Sequence, residues 1–179
     1  MSKLGKKPIV LPKESTVKVE GGSLLVTGPK GTQKLAFNEK LFSSKLNEKN
    51  EFQILPITKD KKSSLMWGTY RSLLNNAVVG VTKGHEKNLE LSGVGFRANI
   101  KGDQLVLQLG FSHEVNYSVP KGIAIKVEKQ TKLNISGSDK ELVSKVSADI
   151  KSLKPVEPYK AKGIKEQNQY VIRKEGKKK

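Results

Sequence analysis

The sequence contains no cysteine. Disulfides, thiolate zinc sites and cysteine nucleophiles are therefore excluded together. Histidine is scarce as well, with only His85 and His113. Neither stands in a spaced carboxylate–nucleophile pattern, and two histidines without a thiol make a poor metal set. No cofactor, metal or small-molecule substrate is expected; a loop hydrogen bond or an RNA contact is the expected use of each histidine. No run approaches the ~18 apolar residues that cross a bilayer as a helix. The opening Met1-Ser2-Lys3-Leu4-Gly5-Lys6-Lys7-Pro8 has no apolar stretch of the secretory kind. A soluble, intracellular protein with no membrane partner is expected. Hydrophobic residues are only 35% of the chain, against roughly 45–50% in globular proteins when glycine is counted. Small cores under a large surface follow. Arginine is nearly missing too: Arg71, Arg97 and Arg173 are three among 34 cationic side chains.

What is abundant is lysine, and the formal net charge is +17 over 179 residues. A balance this basic favours a polyanion, with nucleic acid ahead of an anionic membrane surface. Lysine is a hydrated point charge suited to phosphates, whereas arginine reads base edges bidentately. Binding mainly to backbone and shape is implied. The charge gathers at the end. Residues 154–179 hold nine cationic and three anionic side chains. Within them Pro155 and Pro158 oppose a helix, Tyr159 sets an aromatic face among lysines, and Gly163 permits a bend or close approach. An extended, basic, aromatic-bearing segment suits a phosphate backbone with accessible bases or riboses. Lys177–Lys179 fit a solvated tail equally well.

The rest of the chain predicts an α+β protein of two similar small domains, residues 1–82 and 83–179, each a mainly antiparallel sheet packed against one helix. In the first half Val17 and Val19 alternate with charged residues, Leu24 to Val26 follow, and Leu35 with Phe37 and Phe52 with Ile54 repeat the strand period. Gly28-Pro29-Lys30-Gly31 is turn chemistry. Leu65, Met66, Thr69, Tyr70, Leu73, Leu74, Ala77, Val78 and Val81 recur at helical spacing. Ser63 or Ser64 is the expected cap, and Gly80 and Gly84 mark the end. Trp67 and Tyr70 are read as core, and Arg71 as facing solvent or a partner.

In the second half strands are expected around Leu89–Leu91, Phe96–Ile100, Leu105–Leu109, Ile123–Val127 and Leu133–Ile135, with Gly102-Asp103 as a two-residue hairpin loop. Ser138-Asp139-Lys140-Glu141 reads as a capping box before the stripe Leu142, Val143, Val146, Ile150, Leu153, which Pro155 stops. Val17-Lys18-Val19-Glu20 recurs as Ile125-Lys126-Val127-Glu128, and Leu25–Gly28 meets Leu133–Gly137 with one residue inserted. An internal duplication is suggested. Gly93-Val94-Gly95-Phe96-Arg97 lacks the third glycine of a dinucleotide loop and precedes a strand; a bend or bulge is expected there. Arg97 alternates with Phe96 and Ala98, so it should face outward.

Several stretches carry a resemblance to a known family. They are Gly5-Lys6-Lys7-Pro8-Ile9, Gly28-Pro29-Lys30-Gly31, Trp67-Gly68-Thr69, Asn75-Asn76-Ala77-Val78-Val79-Gly80-Val81, Leu91-Ser92-Gly93-Val94-Gly95-Phe96-Arg97-Ala98, Leu109-Gly110-Phe111-Ser112-His113 and Pro158-Tyr159-Lys160-Ala161-Lys162-Gly163-Ile164. In order and spacing the set resembles the L-six family of bacterial-type large ribosomal subunit proteins. The resemblance implies two similar domains and a structural, non-enzymatic constituent that binds large-subunit (23S-type) rRNA near the base of the factor-binding stalk, beside neighbouring large-subunit proteins. It implies a cytoplasmic, ribosomal location, with an organellar ribosome left open. Charge and resemblance together nominate Lys3, Lys6, Lys7, Arg97, Pro158, Tyr159, Lys160, Lys162, Gly163, Lys165, Arg173 and Lys174 as rRNA-binding residues. The pattern departs at Glu166, where the family commonly has an aromatic residue; a negative charge is expected near the RNA. The alternative is a free basic RNA-binding or assembly protein. An enzyme acting on a phosphorylated substrate would need a clustered acid–base set, which the sequence lacks.

Overall fold

The computed structural model describes residues 3–47, 50–58 and 60–176, with Lys62 described by its backbone alone. The terminal Lys177–Lys179 lie outside the described residues. The chain divides into two compact units. One runs to Gly84 and includes Ser138–Lys140; the other comprises His85–Gly137 and Glu141–Lys179.

The first unit holds β1 (Ile9–Val10), β2 (Thr16–Glu20), β3 (Ser23–Gly28), β4 (Gly31–Ala36), β5 (Phe42–Leu46), β6 (Glu51–Pro56) and α1 (Lys61–Thr82). Two three-stranded sheets form, in the orders β2-β3-β4 and β1-β6-β5, and every pairing is antiparallel. The alternation read from Leu24, Val26, Phe52 and Ile54 is realised as burial, and Trp67, Leu74, Ala77, Val78 and Val81 supply the helix's share of the core. Trp67 satisfies its indole N–H by donating to the Ile54 carbonyl at 2.6 Å, so this large ring is buried without an orphaned donor.

Three expectations for α1 are corrected. Asp60, not Ser63 or Ser64, occupies the N-cap position, and its side chain makes no capping bond. Ser63 is buried and donates instead to the carbonyls of Thr58 and Asp60, tying the first turn to the chain before it. Leu65 and Leu73 are exposed, at 79% and 42%: the apolar residues wrap wider than the packed stripe. Gly80 lies inside the helix. Gly84, at φ 82°, donates its N–H to the Val79 carbonyl, the left-handed exit that glycine permits at low cost.

The second unit holds β7 (His85–Ser92), β8 (Arg97–Lys101), β9 (Gln104–Gln108), β10 (Val115–Ser118), β11 (Ile123–Glu128), β12 (Lys132–Gly137), α2 (Lys140–Leu153) and β13 (Gly163–Glu166). Its sheets run β10-β9-β8 and β11-β12-β7-β13, again with antiparallel pairing throughout. Lys101 pairs with Gln104, which makes Gly102-Asp103 the two-residue loop the pattern predicts. Val143, Val146 and Ile150 of α2 join Leu89, Leu105, Leu107, Leu133, Ile135 and Ile164 in one core. Leu142, counted in the stripe, is exposed instead. So each unit carries two small sheets rather than one.

The duplication is real, but its register is not the one suggested by Val17–Glu20 and Ile125–Glu128. By chain order and sheet position, β2-β3-β4 corresponds to β8-β9-β10. The set β1-β6-β5, followed by α1, corresponds to β7-β12-β11, followed by α2. The hairpins β2–β3 and β11–β12 therefore hold different places in the plan. They resemble each other because half-buried hairpins obey the same period-two rule. Strand β13 is an addition with no partner element in the first unit among the described residues.

Candidate nucleic-acid interface

The basic tail is not a free extended segment, and this corrects the sequence-based expectation. After α2 the chain runs outward, turns at Pro158–Lys160 and returns as β13 on the edge of β7. The return is anchored at its base. The Ile164 N–H donates to the Lys154 carbonyl at 3.0 Å, and Ile164 is 1% exposed. Gly163 sits at φ 141°, where a Cβ would stand 2.7 Å from the Pro155 carbonyl oxygen. Only glycine fits that crossing.

Glu166 completes the anchor. Its Oε1 accepts from Lys151 Nζ of α2 at 2.6 Å and from Lys87 Nζ of β7 at 3.2 Å. The Lys151 hydrogen bond, joined by that of Lys87 and by both charges, holds the Glu166 carboxyl below its usual value, against the opposing effect of burial. The negative charge expected to face RNA is thus taken up by two lysines of the same unit. Lys165 Nζ lies 3.5 Å from Glu90 Oε2, and Lys132 Nζ lies 3.9 Å from Oε1 of the same carboxylate. Exposed ion pairs contribute about 0–1 kcal/mol each, whereas burying an isoleucine side chain contributes roughly 1.5–3 kcal/mol. Ile164 therefore holds the strand down, and the carboxylates fix its register.

What the anchor leaves outside is a short, ordered loop. The Glu157 N–H donates to the Lys162 carbonyl at 2.8 Å and the Ala161 N–H to the Glu157 carbonyl at 3.0 Å. Ala161 takes a left-handed φ of 55° to close it. Tyr159, 52% exposed, stands at the tip, with Lys160 and Lys162 exposed beside it. Beyond β13 the chain turns through Gln167-Asn168, and the Gln169 N–H returns to the Glu166 carbonyl. It then comes back to the same loop: the Lys174 N–H donates to the Pro158 carbonyl at 3.0 Å. That bond brings exposed Arg173 and Lys174 to the turn that carries Tyr159, Lys160 and Lys162.

The remaining nominated residues lie elsewhere. Arg97 is exposed on β8, in the other sheet of the second unit. Lys3, Lys6 and Lys7 are exposed in the first unit, on a segment that is docked rather than frayed. Gly5 packs so tightly on the Trp67 indole that a Cβ would approach the ring to 2.5 Å. Arg71, read as facing solvent or a partner, donates to the Lys7 and Pro8 carbonyls at 3.4 and 3.5 Å. Sequence reasoning missed the positioning carboxylates Glu90 and Glu166 and the lysines Lys87 and Lys151. The strand expected around Leu89–Leu91 carries Glu90, but no period announces β13, in which Ile164 is the one large apolar residue, so its partners could not be paired from sequence.

The model of the ribosomal protein L6 family matches residues 11–84 and 92–167, one segment in each half. The chain is 46% identical over 177 residues to the large ribosomal subunit protein uL6 of a Nitratiruptor species, covering 99% of this chain and 98% of that protein. It is 44% identical over 179 residues to the protein of the same name from Beijerinckia indica subsp. indica. The figure is 45% over 179 residues for that of Rhodopseudomonas palustris, and both of these matches span the whole of each chain. With two repeated domains and full-length relatives of one name, the chain belongs to the ribosomal protein L6 family.

Proposed function

We propose that this chain is a structural constituent of the large ribosomal subunit that grips large-subunit, 23S-type rRNA through its second unit. The observation that carries the reading is the gathering of Lys160, Lys162, Arg173 and Lys174 around exposed Tyr159 by the Lys174–Pro158 backbone bond. A point-charge cluster on an ordered loop neutralises phosphates, and Tyr159 packs on a ribose or base. Its order matters: a loop already closed by its own hydrogen bonds loses little entropy on binding. Arg97 and the turn bearing Lys3, Lys6 and Lys7 extend the cationic surface on their own units. Pro158 and Gly163 shape the loop, and Lys165 contributes a cation shared with Glu90. The site near the base of the factor-binding stalk, the neighbouring large-subunit proteins there and a ribosome of the cytoplasm belong to this reading through the family. No chemical step is part of it.

Each neutralised phosphate releases counterions, so affinity for large-subunit rRNA fragments should fall steeply with salt. A salt titration tests this, and a flat response overturns the reading. Lys160→Glu with Lys162→Glu should abolish most of the binding while leaving the thermal melt within about 0.5 kcal/mol of the parent, as expected for exposed positions. Co-sedimentation with large subunits in high salt separates an assembled constituent from a free basic RNA binder, which would wash off.

A further inference from the structure

A second group of side chains in the second unit has the chemistry of a base-binding platform. The segment between β9 and β10 is pinned at both ends. Leu109 is fully buried, and Gln108 Nε2 donates to Glu114 Oε1 at 2.9 Å. Between these anchors Phe111 remains 44% exposed, although burying an aromatic ring is among the most favourable moves a chain has. His113, also exposed, stacks on it with centroids 6.0 Å apart and planes 19° from parallel. Lys154, immediately after α2, places Nζ 4.4 Å from the Phe111 centroid. The Lys154 carbonyl is held by Ile164 N–H, so its backbone is fixed by the same strand that anchors the basic loop.

We propose that Phe111, His113 and Lys154 form a second RNA contact that takes one unstacked base on the exposed ring pair and its phosphate on Lys154. This rests on the reading of the chain as an RNA binder and adds a contact of another kind. Two flat rings, nearly parallel, with a cation over the Phe111 ring, match a nucleobase stacked on the outer, His113 side and a phosphate near the cation. They match a peptide poorly: one ring pair is far smaller than an apolar protein-docking patch. On a chain of net charge +17, an anionic partner is the complementary one. Stacking releases almost no counterions, so the ring pair should set the strength of binding without setting its salt dependence, whereas Lys154, like Lys160 and Lys162, should add to the slope.

The test measures binding of the full chain to an oligouridylate and to a fully paired RNA duplex of equal length, each across a salt series. Phe111→Ala and His113→Ala should each weaken the single strand about 5- to 150-fold, the range for losing one stacked base. The slope of log affinity against log salt should stay unchanged, and duplex binding should stay near that of the parent. Lys154→Gln should lower the single-strand slope by about 0.7. His113→Ala serves as the second variant if Phe111→Ala melts early. Equal losses on strand and duplex, or no loss on either, overturn the platform. Failure of the parent chain to bind either RNA in dilute buffer overturns the underlying reading instead.

Discussion

Gly163 is the residue on which the second unit's closing strand turns. At φ 141°, with the Pro155 carbonyl oxygen 2.7 Å from any Cβ, alanine meets both backbone strain and a backbone atom that cannot yield. Gly163→Ala should therefore cost at least about 1–3 kcal/mol, read as a lower denaturant midpoint, and should detach β13 first. Ser147 argues in the opposite direction. It is fully buried on α2, and its hydroxyl has no hydrogen-bond partner among the described residues. Ser147→Ala removes an unsatisfied polar group and improves helix propensity. It should stabilise by about 1 kcal/mol, a rise of several degrees in melting temperature for a domain of this size. A drop in melting temperature would mean that the hydroxyl is bonded in solution.

At the scale of elements, β13 is held by burial and tuned by charge, so its stability should depend on pH in one direction. The folded pKa of Glu166 lies below its ordinary value, with the Lys151 hydrogen bond as the largest cause. A depressed carboxyl stabilises the fold above the ordinary carboxylate range, and that contribution is lost as pH falls through the folded value. Glu166→Gln should thus lower the melting temperature slightly near pH 7 and flatten its decline in acid. An identical acid decline in both proteins would show that the Lys87–Glu166–Lys151 bridge contributes nothing. The same element shows what a sequence can carry. The hairpin β8–β9 was legible because Ala98, Leu105 and Leu107 alternate across a Gly-Asp loop. Strand β13 was not, since four residues with Ile164 as the one large apolar group give no period to detect. Strand β1, of two residues, was beyond reach for the same reason. The false register of the duplication arose because Val17–Glu20 and Ile125–Glu128 satisfy one local rule in two different sheets; only pairing partners distant in sequence tell them apart. At the site, the cationic residue types of the loop were legible and their availability was not. Lys165 and Lys160 look alike in sequence, yet Glu90, 75 positions before Lys165 by numbering, lies within ion-pair distance of Lys165, whereas Lys160 stands exposed at the loop.

For the whole molecule, the proposed grip on RNA depends on how many cations meet phosphate at once. The structure separates those paired within the protein, Lys87, Lys132, Lys151 and Lys165, from the exposed set around Tyr159. Only the second kind should register fully as counterion release. Arg173→Gln with Lys174→Gln leaves intact the backbone bond from residue 174 to the Pro158 carbonyl, because no side chain makes it. The loop should stay closed and the melt unchanged. Two neutralised phosphates should be lost, lowering the slope of log affinity against log salt by about 1.4 to 1.8. Lys87→Gln with Lys132→Gln removes the same formal charge from the paired set. If both double variants shifted the slope equally, net charge alone would govern binding and the ordered loop would have no special part. A slope that moves only with Arg173 and Lys174 assigns the grip to the place where the tail returns to Pro158.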